Sequence, residues 1–180
     1  NVQMPLLRQE GRTPVDSADW MYLQVLAAEN GNEQLIASTW RQYVDVATLF
    51  AKHPDGKLKI AHKPKVILTL DEKTPSWNNA VLLGKNIEES LTAYNALEGE
   101  EFTAQQVEKY ANKPQTRAQA KENPLWRVLA KGDNSLLNAR VEAAFRLGSL
   151  NSGMGIYVSI PENEQESATG RLAMFHNLNN

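Results

Sequence analysis

The run of helix caps and breakers between Thr103 and Gly148 limits the possible folds more than any other feature of this chain. Thr103-Ala104-Gln105-Gln106 is a capping box, in which the threonine hydroxyl and the glutamine side chain satisfy amides that an opening helix leaves bare, and Phe102 is placed to staple onto Val107. Pro114 ends that helix. Asn123-Pro124 opens another with a side-chain cap and a preset φ, and Gly132 closes it. Asp133 caps a third, carrying Leu137, Val141, Ala144 and Phe145 as far as Gly148. The alanine- and glutamine-rich residues 115–122 can add one further turn. A group of short helices cannot form a long coiled coil; each must bury its apolar stripe against its neighbours.

Elsewhere the pattern is mixed. Residues 1–12 show no helical or strand period and read as an N-terminal arm, leaving 13–180 as one domain. A helix opens at Thr13 or Ser17, carries Trp20, Leu23 and Ala27, and ends at Asn30-Gly31-Asn32. Ile36, Trp40, Tyr43, Ala47 and Phe50 recur at helical spacing and predict a second helix over Glu33 to Lys52, antiparallel to the first. His53-Pro54-Asp55-Gly56 is a turn. Lys57 to Ala61 and Val66 to Leu70 read as strands joined through His62-Lys63-Pro64-Lys65. A third long helix is predicted from Asn78 to Leu97 with Gly84 inside it, a glycine that implies either a close approach by a neighbouring element, the preferred reading, or an overstated helix. Ile156 to Ile160 reads as a late strand joining the earlier pair, Pro161 to Gly170 as an exposed loop, and Leu172 to Leu178 as an edge strand or short helix. The expected class is therefore α+β: a helix-rich single domain with a three- to four-stranded mixed or antiparallel sheet packed on helices.

Composition removes several chemistries. Without cysteine there is no disulfide, thiolate zinc site, iron–sulfur cluster or cysteine nucleophile, and a reducing, cytoplasmic location is expected. The chain starts at Asn1, so any signal peptide would already be gone. A formal net charge of −2 is unlike a protein held on nucleic acid mainly by phosphate neutralisation. No apolar run approaches the ~18 residues of a membrane span, so no membrane contact is expected.

Two regions still concentrate positive charge. Lys52, Lys57, Lys59, Lys63 and Lys65, with His53 and His62, are opposed only by Asp55 and could form a hairpin that tracks a polyanion; the plainer explanation is an exposed strand edge defended by lysines. Lys109, Lys113, Arg117 and Lys121 recur every fourth residue, and Arg127 and Lys131 follow. His53, Asp55 and His62 could meet as an acid/base pair or metal site, although their spacing matches no metal signature and the surrounding lysines oppose a cation. His176 stands alone. Trp126 and Arg127 are residue types that dominate binding hot spots, yet a tryptophan in a short amphipathic helix usually packs inward. Gly148, Gly153 and Gly155 precede a strand, whereas phosphate loops precede a helix.

No cofactor or metal is expected, and no reaction is named by these residues. The leading expectation is a non-catalytic interaction or assembly protein with a protein partner or self-association. A nucleic-acid-binding module using the two basic regions comes second, and a hydrolase using His53, Asp55 or His62 third.

Overall fold

A computed structural model describes residues 3–41, 44–65, 76–77, 80–84, 86–148, 154–156, 158 and 169–175. Among these the elements run α1 (Gln3–Gln9), α2 (Ser17–Asn30), α3 (Glu33–Trp40), β1 (Val44–Lys52), β2 (Leu58–His62), β3 (Ser76–Trp77), β4 (Ala80–Leu82), α4 (Ile87–Ala96), β5 (Glu100–Phe102), α5 (Ala104–Tyr110), α6 (Arg117–Glu122), α7 (Pro124–Leu129), α8 (Asn134–Leu147) and β6 (Thr169–Phe175). The protein is α+β and rich in helix. It groups into two compact units of three segments each: 1–16, 46–107 and 159–173 in the first; 17–45, 108–158 and 174–180 in the second.

The first unit is built on the sheet, whose strand order is β3-β4-β6-β1-β2-β5. Its best-defined part is the antiparallel set β1-β2-β5, with Phe50 opposite Ile60 and Leu58 opposite Phe102. The short strands β3 and β4 and the late β6 extend the expected three or four strands to six. On one face of β1, Ala47, Leu49 and Ala51 pack with Tyr94 of α4, and Leu83, Leu91 and Leu97 close the cluster. Its other face is buried too, through Val46, Thr48 and Phe50. That two-sided burial explains why Ala47 and Phe50 mimicked a helical stripe. The helix predicted over Glu33 to Lys52 in fact stops at Trp40, and the β-branched Val44, Val46 and Thr48 run as strand.

The predicted helix from Asn78 is likewise shorter. It opens at Ile87, where Asn86 accepts the Glu89 amide at 2.9 Å, and the residues before it pair as β3 and β4. Gly84 lies just outside the helix. A Cβ there would collide with the Ser90 amide nitrogen and with Glu89, so the backbone does approach closely, but the glycine equally marked a predicted helix that is too long. Residues 3–9 of the expected arm form α1, and Leu172 to Phe175 belong to an interior strand between β4 and β1, not an edge. Val66 to Leu70 lie outside the described residues.

The second unit is helical. α2 packs against α3 and α8, and α6, α7 and α8 pack on one another. The caps read from the sequence form as expected: Thr103 and Gln106 exchange bonds of 2.8 and 3.2 Å, Asn123 holds the Leu125 amide, Asp133 holds those of Ser135 and Leu136, and Gly132 ends α7 at φ 78°. A second capping box, Thr116 with Gln119, starts α6. The late segment does not extend the sheet among its described residues. Met154 bridges Gln115 instead, Ile156 accepts from the Asn112 amide at 2.7 Å, and the Val158 amide donates to the Asn112 side chain at 2.7 Å. Asn112, at φ 56°, is a residue that tolerates the left-handed turn required.

At the centre of this unit lies Gln24, buried and fully engaged. Its amide donates to Thr39 at 2.8 Å, its carbonyl oxygen accepts from Arg140 Nε at 2.9 Å, and its backbone carbonyl takes the Trp40 indole at 2.8 Å. The Arg140 guanidinium is stacked on Trp126 at 4.5 Å and faces Trp40 at 5.6 Å. Burial pushes its pKa down to about 9, so it stays charged at neutral pH. The stack dissolves the apparent choice at Trp126: the ring is 5% exposed and committed to the core.

Candidate functional site

The turn at His53 holds three titratable residues in one small cluster. Asp55 Oδ1 lies 2.7 Å from His53 Nδ1, its Oδ2 lies 2.7 Å from Lys57 Nζ, and its carboxylate also accepts the Lys57 amide. The Lys57 ammonium, helped by that amide and by His53, lowers the Asp55 pKa to about 2. His53 also stacks obliquely on Tyr94, 5.1 Å between ring centres. The third proposed member is elsewhere. His62 pairs with Thr48 at the far end of the β1–β2 ladder, bonded to that hydroxyl at 3.2 Å, and four residue pairs along a strand is about 13 Å. His53, Asp55 and His62 therefore do not converge. Among the described residues no group of three or more metal-ligating side chains is assembled. His176 lies outside the described residues.

The lysine hairpin forms, but its charges are largely answered. Lys59 is 8% exposed: it lies over the Tyr94 ring, donates to the Tyr94 carbonyl at 2.9 Å and approaches Glu101 at 3.9 Å. Burial, reinforced by the Glu101 charge, in turn raises the Tyr94 phenol above its ordinary pKa. Lys63, at a left-handed φ of 46°, reaches the buried Asp16 at 3.5 Å. Lys57 is held by Asp55, while Lys52 is half-buried and Lys65 exposed. A cavity of about 580 Å³ opens beside this end of the ladder, lined by His62, Lys63 and Lys65 on one side and by Leu83, Ala93, Leu97 and Glu98 on another. Its walls carry two lysines against one glutamate, and Lys63 already faces Asp16.

The basic helices behave similarly. Arg117 and Lys121 both bind Glu142 of α8, at 3.2 and 2.6 Å, which depresses the Glu142 carboxyl below its usual range. Lys109 lies over Tyr110, and Lys113 donates to the Glu108 carbonyl at 3.2 Å. Pro114 breaks the stripe, as its position implied. Arg127 is exposed, in contrast to its neighbour Trp126.

A feature that sequence reasoning passed over is the solvent side of α2. Met21, Val25 and Ala28 pack inward, yet Tyr22, Leu23 and Leu26 are exposed, Tyr22 by 59%, and α3 adds the exposed Leu35. Tyr22 and Leu26, and Leu23 and Leu26, are helical neighbours by spacing. The signal was present in the sequence: α2 is apolar around most of its circumference, which a helix buried on only one side does not need.

No protein-family model matches the chain, and no curated protein matches it in sequence. In fold it is similar to a solved Nanoarchaeota structure described as accommodating massive sequence variation by the C-type lectin fold, with a TM-score of 0.60 at 12% identity over 92% of this chain and 78% of that one. At that identity the likeness is one of fold alone.

Proposed function

We propose that this protein is a non-catalytic interaction protein that docks a protein partner on the outer face of α2. One observation carries the reading: most of the large apolar side chains left exposed among the described residues, Tyr22, Leu23, Leu26 and Leu35, lie on the α2–α3 pair. Isolated exposed leucines are ordinary, whereas three within one and a half turns of a well-packed helix make a patch with a driving force for association. Tyrosine at its edge supplies rigid contact area and a hydroxyl for the polar rim. The nucleic-acid reading draws less support, because Lys57, Lys59, Lys63, Arg117 and Lys121 already face acidic side chains.

The test compares proteins co-purifying with the native chain and with a Leu23→Ser/Leu26→Ser variant from the same cells. Both positions are exposed, so the variant is expected to keep its circular dichroism spectrum and its melting temperature within about 3 °C, a surface-sized effect. Partners retained by the native chain and lost from the folded variant support the reading. An unchanged set of partners, or binding competed away by nucleic acid, overturns it.

A further inference from the structure

We infer that the α2–α3 face takes a partner whose apolar contact surface is rimmed by lysine or arginine, and not a second copy of this chain; this rests on the docking reading above. From Thr13 to Trp40 the sequence contains no lysine, arginine or histidine. The acidic side chains in this stretch are Asp16, Asp19, Glu29 and Glu33, of which Asp16 is buried and paired with Lys63. Glu29 closes the last turn of α2 and Glu33 opens α3, both exposed, so the two flank the Asn30-Gly31-Asn32 link at the Leu26 end of the patch.

The backbone adds to this charge. The last turn of α2 holds no basic residue, leaving the partial negative charge of its carbonyl end beside Glu29. Two arginines lie near. Arg146, an exposed residue of α8, donates to the Ala28 carbonyl at 3.1 Å and answers one carbonyl of that last turn, leaving the sign of the surface to the Glu29 and Glu33 carboxylates. Arg41 reaches Glu33 at 3.4 Å with both side chains well exposed, the kind of ion pair that solvent and salt weaken and that is readily exchanged for another partner.

An apolar strip with acids at one end selects by sign. In a two-fold self-pairing the same patch meets itself, so a stretch that carries acids and no lysine, arginine or histidine meets like charge, a cost that complementary charges at an interface remove. A cationic rim gains at the same positions.

The test uses two 18-residue helical peptides with the same leucine face, one flanked by lysines and one by glutamates, titrated by fluorescence anisotropy and by amide NMR into the full chain. The lysine peptide is expected to bind at least tenfold tighter at low salt, with shifted amides confined to α2 and α3, and to weaken as salt rises. Glu29→Lys/Glu33→Lys should invert the preference, and Leu23→Ser/Leu26→Ser should weaken both peptides. Equal binding of the two peptides to α2–α3 overturns the charge inference while leaving the docking reading standing. The same holds for a concentration-dependent dimer, seen by light scattering, that Leu23→Ser/Leu26→Ser dissolves. Lysine-peptide binding that ignores both double variants, or no binding of either peptide, removes the docking reading with it.

Discussion

Replacing Arg140 separates what its charge does from what its volume does. Arg140→Ala removes two ring contacts, at 4.5 and 5.6 Å, and the bond to Gln24 at 2.9 Å. A partly desolvated cation–π contact contributes ~0.5–2 kcal/mol and a hydrogen bond from a charged donor ~1.5–3. The truncation also opens a cavity between two tryptophans and leaves the buried Gln24 oxygen without this donor, each a further destabilising effect. Removing a buried cation works the other way, because its desolvation cost disappears. For alanine the losses win, and we expect about 3–5 kcal/mol, in the range of losses on breaking buried charged contacts. Arg140→Met refills the space and offers sulfur to both rings but still leaves the Gln24 oxygen without this donor, so its cost should fall only to about 1–3 kcal/mol. Urea unfolding followed by circular dichroism measures both. The pH dependence carries a sign. The folded pKa of about 9 lies below the ordinary 12.5, so the unfolded chain binds the extra proton only above pH ~9, and Arg140 raises stability with pH only from there upward. Between pH 6 and 8 the alanine loss should therefore be constant. A loss under about 1 kcal/mol for alanine, or equal losses for alanine and methionine, would refute the stacking account.

At the hairpin turn, Asp55 should titrate near pH 2 by carboxyl-carbon NMR and move up towards its ordinary value of 3.8 in Lys57→Ala. Because its folded pKa is depressed, its contribution is present above about pH 4 and lost as pH falls through 2; at 43% exposure it is a small one. An unshifted midpoint would dismiss the pairing. Gly84→Ala should cost about 1–3 kcal/mol, since its Cβ meets backbone of the first turn of α4 and not a yielding side chain. A neutral result in thermal melts would mean that turn can move aside. Thr116→Ala should cost about 1 kcal/mol through loss of the α6 capping box, whereas Glu142→Gln, at solvent-screened ion contacts, should cost less than that. Urea midpoints that reverse this order would contradict the burial argument.

Where the fold was legible, a local chemical device determined it. Thr103, Asn123, Gly132 and Asp133 act on amides and φ angles within three residues of themselves, so their helices appear where the sequence places them. The failures share one cause. Val46 to Ala51 is buried on both faces, and a strand with no exposed side offers no period-two signal, so Ala47 and Phe50 were absorbed into a helical pattern starting at Glu33. Leu83 and Ile87 likewise seemed to share one helix with Leu91 and Tyr94, although Asn86 caps the helix between them. β6 could not be placed among β4 and β1 by any local rule, because its neighbours lie a hundred residues away.

The candidate sites were less legible for a related reason. A count of lysines along the chain cannot record which acids the fold brings to them, and here Asp16 reaches Lys63, Glu101 reaches Lys59 and Glu142 reaches both Arg117 and Lys121 from distant positions. Those pairings reduce the positive charge that the lysine hairpin and the basic helices present to a polyanion. The α2 surface is the opposite case. Its apolar excess could be read from Trp20 to Ala28 alone, but only the contacts of Met21, Val25 and Ala28 show that the core needs one side of that helix. Tyr22, Leu23 and Leu26 are then surplus to folding. Surplus apolar side chains on a packed helical pair are what the proposed docking surface requires, and in that reading Glu29 and Glu33 beside them would set the sign of the partner.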